Sequence, residues 1–219
     1  MPNLLVPTNE GYRILELVEA GHQRLADGQE CWIYNDKLGR QVMTRIGHNV
    51  ELINCVNASP QGLILEFGVA AGTSIRRLAE SGRQIYGFDW WKGLPHAWNE
   101  ADGKGSCYAP KPNDLPVNVE LVDGLFSDTL PEFLGTHDGP VAFVHIDCDL
   151  YAPSLYVLHC LVDRFVKGSM IAFDEIDLGH YGELQAWWRY LEESRQDWEF
   201  LGKQHPFGEV YRMVDARRS

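Results

Sequence analysis

Leu65-Glu66-Phe67-Gly68-Val69-Ala70-Ala71-Gly72-Thr73-Ser74 is the stretch on which the fold turns. A short apolar run, Leu63–Phe67, stops at a glycine, and a helical pattern starts after a second glycine and runs from about Thr73 to Ser81. A strand that turns this sharply into a helix reads as a βα unit of an open α/β sheet. Gly68 and Gly72 let backbone approach a ligand with no Cβ in the way. The free N–H groups of the helix start face the same space.

Outward from this unit the pattern repeats. Strands are expected at Gln84–Asp89, Val117–Val122, Val141–Asp147 and Ser169–Asp174, with helices near Asp128–Leu134, Ser154–Phe165 and Gly182–Ser194. Trp198–Leu201 and Phe207–Met213 read as a terminal antiparallel hairpin. The sum is a mostly parallel α/β sheet with helices on both faces. A loop of Gly and Pro over about 90–116 is longer than compact domains use for plain connections, so it reads as a lid. Upstream, Leu15, Val18, His22 and Leu25 lie at i, i+3, i+7 and i+10, which predicts an amphipathic helix, and a second helix is expected over Gln41–Val56. Residues 1–60 are therefore expected to be an N-terminal helical extension of the same domain, with residues 61–219 as the ligand-binding part.

The chain has 219 residues, enough for one domain. Lys plus Arg is 19 and Asp plus Glu is 31, giving a formal charge of −12. With a pI of about 5.0, a polyanionic partner such as nucleic acid is disfavoured. No apolar run reaches the roughly 18 residues of a membrane helix, and the start, MPNLLVPTNEGYR, lacks a basic region followed by a long apolar stretch. Five cysteines, at 31, 55, 107, 148 and 160, form no Cys-x-x-Cys pair. They are expected to be reduced thiols in a cytoplasmic protein.

The Gly-x-Gly-x-x-Gly spacing of a dinucleotide site is absent, which counts against a nicotinamide-dependent oxidoreductase. Instead the acid Glu66 stands two residues before the first glycine. A carboxylate there would repel a pyrophosphate but suits a ligand with cationic groups, such as the sulfonium and ammonium of S-adenosylmethionine. Asp89, at a strand end, could accept from a ribose diol. Asp123, followed by Gly124, could take the adenine amine. Asp147 ends one strand while Asp174 and Glu175 end the next, and neighbouring strand ends lie about 5 Å apart. Carboxylates converging there raise one another's pKa unless a cation neutralises them. A hard divalent ion with oxygen ligands, Mg²⁺ above all, fits that need.

Four segments carry a family resemblance: Glu66–Ser74; Gly87-Phe88-Asp89-Trp90-Trp91-Lys92-Gly93-Leu94-Pro95; Gly124–Pro131; and His145-Ile146-Asp147-Cys148-Asp149-Leu150-Tyr151 with Phe173-Asp174-Glu175. Over roughly Gly62–Ile176 the chain resembles class I S-adenosylmethionine-dependent methyltransferases. More narrowly it looks like the macrocin O-methyltransferase family of metal-dependent sugar O-methyltransferases. It departs from that family at Trp90-Trp91, at Pro153-Ser154 and at the Asp174-Glu175 pair. The resemblance implies a Rossmann-like, mostly parallel seven-stranded sheet with the C-terminal antiparallel hairpin. It maps metal ligands onto Asp147, Asp174 and Glu175, with Asp149 as the rival ligand or a helix cap.

The expected cofactor set is Glu66, Gly68, Ala70, Gly72, Thr73, Ser74, Asp89, Trp90, Asp123, Gly124 and His145. Candidate bases are Asp147, His96 and His145. Asp147 is favoured, with His96, which the resemblance places against the substrate, assisting. Trp90, Trp91 and Trp98 are candidates to stack on a sugar or to anchor the lid. The expected activity is Mg²⁺-assisted O-methylation of a small diol or sugar, with no nucleic-acid or membrane partner. The expected apolar faces of the N-terminal third suit a homodimer or higher homo-oligomer. The alternatives are a metal-independent methyltransferase and a non-catalytic S-adenosylmethionine sensor.

Overall fold

Leu63–Phe67 is buried along its whole length, as is Val141–Ile146, the pattern of parallel strands covered on both faces. The computed structural model describes residues 50–97, 103–176, 182–204 and 208–216, together with the backbone of five strands between residues 3 and 45. Those five are β1 (Asn3–Thr8), β2 (Gly11–Glu16), β3 (His22–Arg24), β4 (Glu30–Asn35) and β5 (Gln41–Arg45). Then follow α1 (Leu52–Ala58), β6 (Leu63–Phe67), α2 (Thr73–Ala79), β7 (Ile85–Asp89), β8 (Val119–Asp123), α3 (Phe126–Thr136) and β9 (Val141–Ile146). The chain continues with α4 (Tyr151–Leu161), β10 (Phe165–Phe173), α5 (Gly182–Ser194), β11 (Gln196–Lys203) and β12 (Glu209–Ala216).

The main sheet has seven strands in the order β11-β12-β10-β9-β6-β7-β8. β6 to β10 pair in parallel, and β12 runs antiparallel to both β10 and β11. The chain order reverses between β6 and β9, the switch point where open α/β sheets bind ligands. The period-two alternation of the strands divides the core. Leu65, Phe67, Val144, Ile171 and Phe173 pack with residues of α3, α4 and α5. Ile64, Ala142, Met170 and Ala172 pack with Val56 of α1 and Ile75 and Leu78 of α2. The same alternation puts Glu66 on the α1–α2 side of β6.

The expected elements from residue 63 onward are present, with ends shifted by a few residues. The N-terminal third differs. Leu15 falls in β2 and His22 in β3, so the expected amphipathic helix is not formed at these residues, and Gln41–Arg45 is a strand with the helix confined to Leu52–Ala58. Val18 and Leu25 of that pattern lie outside the described residues. β1 and β2 form one antiparallel pair, and β3, β4 and β5 form a three-stranded sheet. Cys31-Trp32-Ile33-Tyr34 in β4 and Val42-Met43-Thr44 in β5 are rich in the β-branched and aromatic residues of pleated surfaces. Four matches to a helical period over a weakly apolar stretch did not outweigh them.

Candidate active site

The turn after β6 is held from two directions. Gly68 has φ +92°, and a Cβ there would stand 1.8 Å from the Asp147 carbonyl oxygen, so only glycine allows β6 and β9 to close at this point. Asp89 holds the turn from the β7 side. Its Oδ2 accepts from the N–H groups of Val69 (2.9 Å) and Ala70 (2.8 Å), and its Oδ1 from those of Trp90 (2.6 Å) and Trp91 (2.9 Å). A carboxylate has about four acceptor positions, and all four are used. Asp89 therefore acts here as a clamp on the glycine turn. The ribose contact expected of it would compete with these bonds.

The other expected cofactor residues lie along the same edge. Thr73 and Ser74 line a cavity of about 500 Å³ at the start of α2, and Ala70, at φ +46°, is exposed on the turn. The Gly124 N–H bonds the Asp89 carbonyl at 3.0 Å. Asp123 is half-exposed and its Oδ2 accepts from Lys111 Nζ at 3.0 Å. Trp91 is buried and donates from Nε1 to the Ala70 carbonyl at 2.9 Å, while Trp90 donates to the Gly93 carbonyl at 3.0 Å. These bonds make both tryptophans loop anchors. Trp98 lies outside the described residues.

Across the switch point the same cavity is walled by His145, Asp147, Asp174 and Gln204. Glu66 and His145 are both buried, and His145 Nδ1 lies 2.9 Å from Glu66 Oε1. That bond fixes the imidazole, whose Nε2 faces Asp174 Oδ1 at 3.8 Å. Glu66 Oε2 is buried with no hydrogen-bond partner among the described residues. A buried acceptor in that state is costly unless a ligand supplies the donor. Burial pushes the Asp147 carboxyl well above the carboxylate range, and the charges of Asp174, Glu183, Asp149 and Glu66 push it further the same way.

Not every expected site residue is brought together. Glu175 follows Asp174 but does not line the cavity, and its charge is not among those acting on Asp147. His96 is exposed and does not line the cavity either. The N-cap position of α4 is Leu150, which makes no side-chain cap bond, and Asp149 stands just before it. The Asp149 N–H donates to Glu183 Oε1 at 3.2 Å. Cys148 is buried, and burial raises its thiol pKa, as expected of an inert packing residue.

Two site residues were missed by sequence reasoning. Gln204, in the β11–β12 connection, donates from Nε2 to the Phe173 carbonyl (2.8 Å) and to Asp174 Oδ1 (3.2 Å). Glu183, at the start of α5, is buried and its carboxyl is pushed up to about 8, chiefly by burial. Gln204 leaves no motif in sequence. The signal for Glu183 was an acid in the first turn of a helix that immediately follows a run of site acids.

The acids fit a hard divalent cation in chemistry and in charge. Among the described residues, however, no three His, Cys, Asp or Glu side chains stand together in a group that could hold a metal ion. Mg²⁺ commonly uses one or two carboxylates and completes its shell with water and substrate oxygens. Asp147 and Asp174 on one cavity wall meet that smaller requirement.

Residues 65–176 match the family model described as "Methyltransferase domain". The solved structure titled "Crystal Structure of CalS11, Calicheamicin Methyltransferase" is similar at 26% identity and a TM-score of 0.62, over 75% of this chain and 76% of that one. A second structure, titled as apo CalS11, TDP-rhamnose 3'-O-methyltransferase, has 24% identity and a TM-score of 0.55 over 75% and 76% of the two chains. The O-methyltransferase NovP shares the fold at 20% identity and a TM-score of 0.58, over 74% and 77%. No curated protein matches the chain. Among the described residues no helix is long and apolar enough to cross a membrane. With a matched segment of just over half its length on a seven-stranded sheet of this order, the chain belongs to the methyltransferase-domain family and is a class I, S-adenosylmethionine-dependent methyltransferase.

Proposed function

We propose that the protein transfers a methyl group from S-adenosylmethionine to a hydroxyl oxygen of a small molecule, a sugar or glycosylated natural product, with the help of Mg²⁺. One observation carries this reading. Thr73 and Ser74, from the cofactor turn, and Asp147 and Asp174, from the acid pair, wall the same cavity. Donor and acceptor chemistry then meet in one space. The titles of CalS11 and NovP add support for a hydroxyl acceptor, and the CalS11 title for a sugar.

The transfer is an in-line displacement. The acceptor oxygen forms a bond to the methyl carbon while the carbon–sulfur bond breaks, leaving a neutral thioether. The hydroxyl proton passes to a base, and Asp147, on the cavity wall, is the residue assigned to take it. Glu66 Oε2 offers an unused acceptor for a cationic group of the methyl donor. The Glu66–His145 pair holds the imidazole against Asp174. Holding the two reactants in line supplies roughly 7–11 kcal/mol of the barrier reduction. Asp147 and Asp174 would hold the cation, which when bound neutralises these acids and makes a coordinated hydroxyl more acidic. Cys55, Cys148 and Cys160 are thiols in no disulfide, which suits a reducing, cytoplasmic location.

The test uses labelled S-adenosylmethionine, TDP-rhamnose or a methyl rhamnoside, and MgCl₂. Asp147→Asn is expected to lower the transfer rate by about 10²–10⁴-fold, with the affinity for S-adenosylhomocysteine within about threefold of wild type. Transfer that survives both this change and a chelator would remove the acid pair from the mechanism.

A further inference from the structure

Glu183 is the second residue of α5 and is 1% exposed. Its carboxylate reaches two loops at once. Oε1 accepts from the N–H groups of Cys148 (2.8 Å) and Asp149 (3.2 Å), and Oε2 from the N–H of Glu175 (3.4 Å). Cys148 and Asp149 directly follow Asp147, and Glu175 directly follows Asp174. The β9–β10 ladder ends at Ile146 and Phe173, with one further bond from the Asp174 N–H to the Ile146 carbonyl at 3.0 Å. Beyond that point the ladder no longer sets the distance between the two acids, and the Glu183 carboxylate bridges the two chains that carry them.

Two further observations locate the strain that this bridge holds. Asp149 has φ +61°, a left-handed conformation disfavoured for a residue with a Cβ, and its N–H is one of those that Glu183 accepts. Gly182 sits directly on the same loop, where a Cβ would stand 2.2 Å from the Asp149 carbonyl oxygen. The first turn of α5 is thus pressed against the loop after Asp147.

We propose that Glu183 is a positioning residue for methyl transfer, one carboxylate that ties the loops after β9 and β10 so that Asp147 and Asp174 share one cavity wall. The proposal rests on the function assigned above, and it is separable from it. Glu183→Gln keeps the size and one acceptor oxygen, which can still serve Cys148 and Asp149, but it turns an NH₂ group toward the Glu175 N–H. Glu183→Ala removes all three acceptor contacts.

The experiment measures amide hydrogen exchange at Cys148, Asp149 and Glu175, together with melting temperature and with kcat and KM for S-adenosylmethionine on TDP-rhamnose. In Glu183→Ala, exchange at the three amides is expected to rise at least tenfold more than at β6. The value of kcat is expected to fall about 30-fold or more, with KM within threefold. In Glu183→Gln, exchange is expected to rise at Glu175 alone, with an intermediate kcat. If Glu183→Ala does not fold, the glutamine variant decides by the same pattern. Exchange that is unchanged, or that rises equally across the sheet, overturns the proposal, as does an unchanged kcat. Wild-type protein that transfers no methyl group overturns the functional assignment, while the exchange pattern still decides whether Glu183 holds the loops.

Discussion

Asp89, at the end of β7, gives all four of its acceptor positions to backbone N–H groups of its own turn and of the turn after β6. Asp147, just past β9 on the same sheet edge, has its carboxyl pushed up by burial and, further, by the charges of four other acids. The two halves of the edge therefore differ in completeness. The β6–β7–β8 half is a finished cradle, with its glycine turn, its clamp and its loop anchored by Trp90 and Trp91. The β9–β10 half brings Asp147 and Asp174 to one cavity wall, and in the function proposed above it is completed by a cation. Binding a methyl donor asks for a preformed surface. Activating a hydroxyl asks for charge held in reserve.

Asp89→Ala should break the comparison most severely. Removing the clamp frees four N–H groups and lets the glycine turn open. The affinity for S-adenosylhomocysteine should fall about 100-fold by calorimetry, while Mg²⁺ affinity changes little. Equal losses of both ligands would mean that the two halves are not separate devices.

The pH dependence of stability comes next. In metal-free protein the Asp147 carboxyl is held up by burial and neighbouring acids, and the Glu183 carboxyl is held at about 8, chiefly by burial. Both folded values lie above the unfolded ones, so the folded state binds more protons over that range. Their contribution is fully present below the unfolded value of about 4.5 for Glu183, and it is lost as pH rises through about 8. The melting temperature of metal-free protein should therefore fall between pH 5 and pH 8, and saturating Mg²⁺ should recover part of the loss at pH 8. A melting temperature that rises over this range, or ignores Mg²⁺ at pH 8, would place the charge elsewhere.

Lys111→Ala should have the smallest effect. The Lys111–Asp123 pair is 40% and 50% exposed, and pairs of that kind contribute less than about 1 kcal/mol. A melting-temperature change of no more than a few degrees is expected, with affinity for S-adenosylhomocysteine equal or slightly improved because Asp123 is released. A loss of tenfold or more would show that Lys111 belongs to the cradle.

The cradle half was legible in sequence because backbone sterics write it locally. Gly68, Gly72, the alternation of β6 and the strand-end acids Asp89 and Asp123 all lie within or beside their own βα units. The acid half was legible in its residue types but not in its geometry. Asp147 and Asp174 could be named from the ends of their runs, whereas the tie between them comes from Glu183 on α5 and Gln204 on the terminal hairpin. Gln204 has no spacing relation to the acids, and Glu183 shows in sequence only as an acid in the first turn of the next helix. Glu175 illustrates the same limit, since adjacency to Asp174 did not put it on the cavity wall. The N-terminal third was misread because pairing between strands of one hairpin or small sheet is a tertiary matter, and the helical spacing of Leu15 and His22 carried no information about it.

The most direct test is a calorimetric titration of Mg²⁺ into protein saturated with S-adenosylhomocysteine. Wild-type protein should take up one ion, and Asp147→Asn should weaken that uptake at least tenfold with cofactor affinity unchanged. Wild-type protein that takes up no ion, or an Asp147→Asn variant that takes it up equally well, would contradict the account of an acid half completed by a cation.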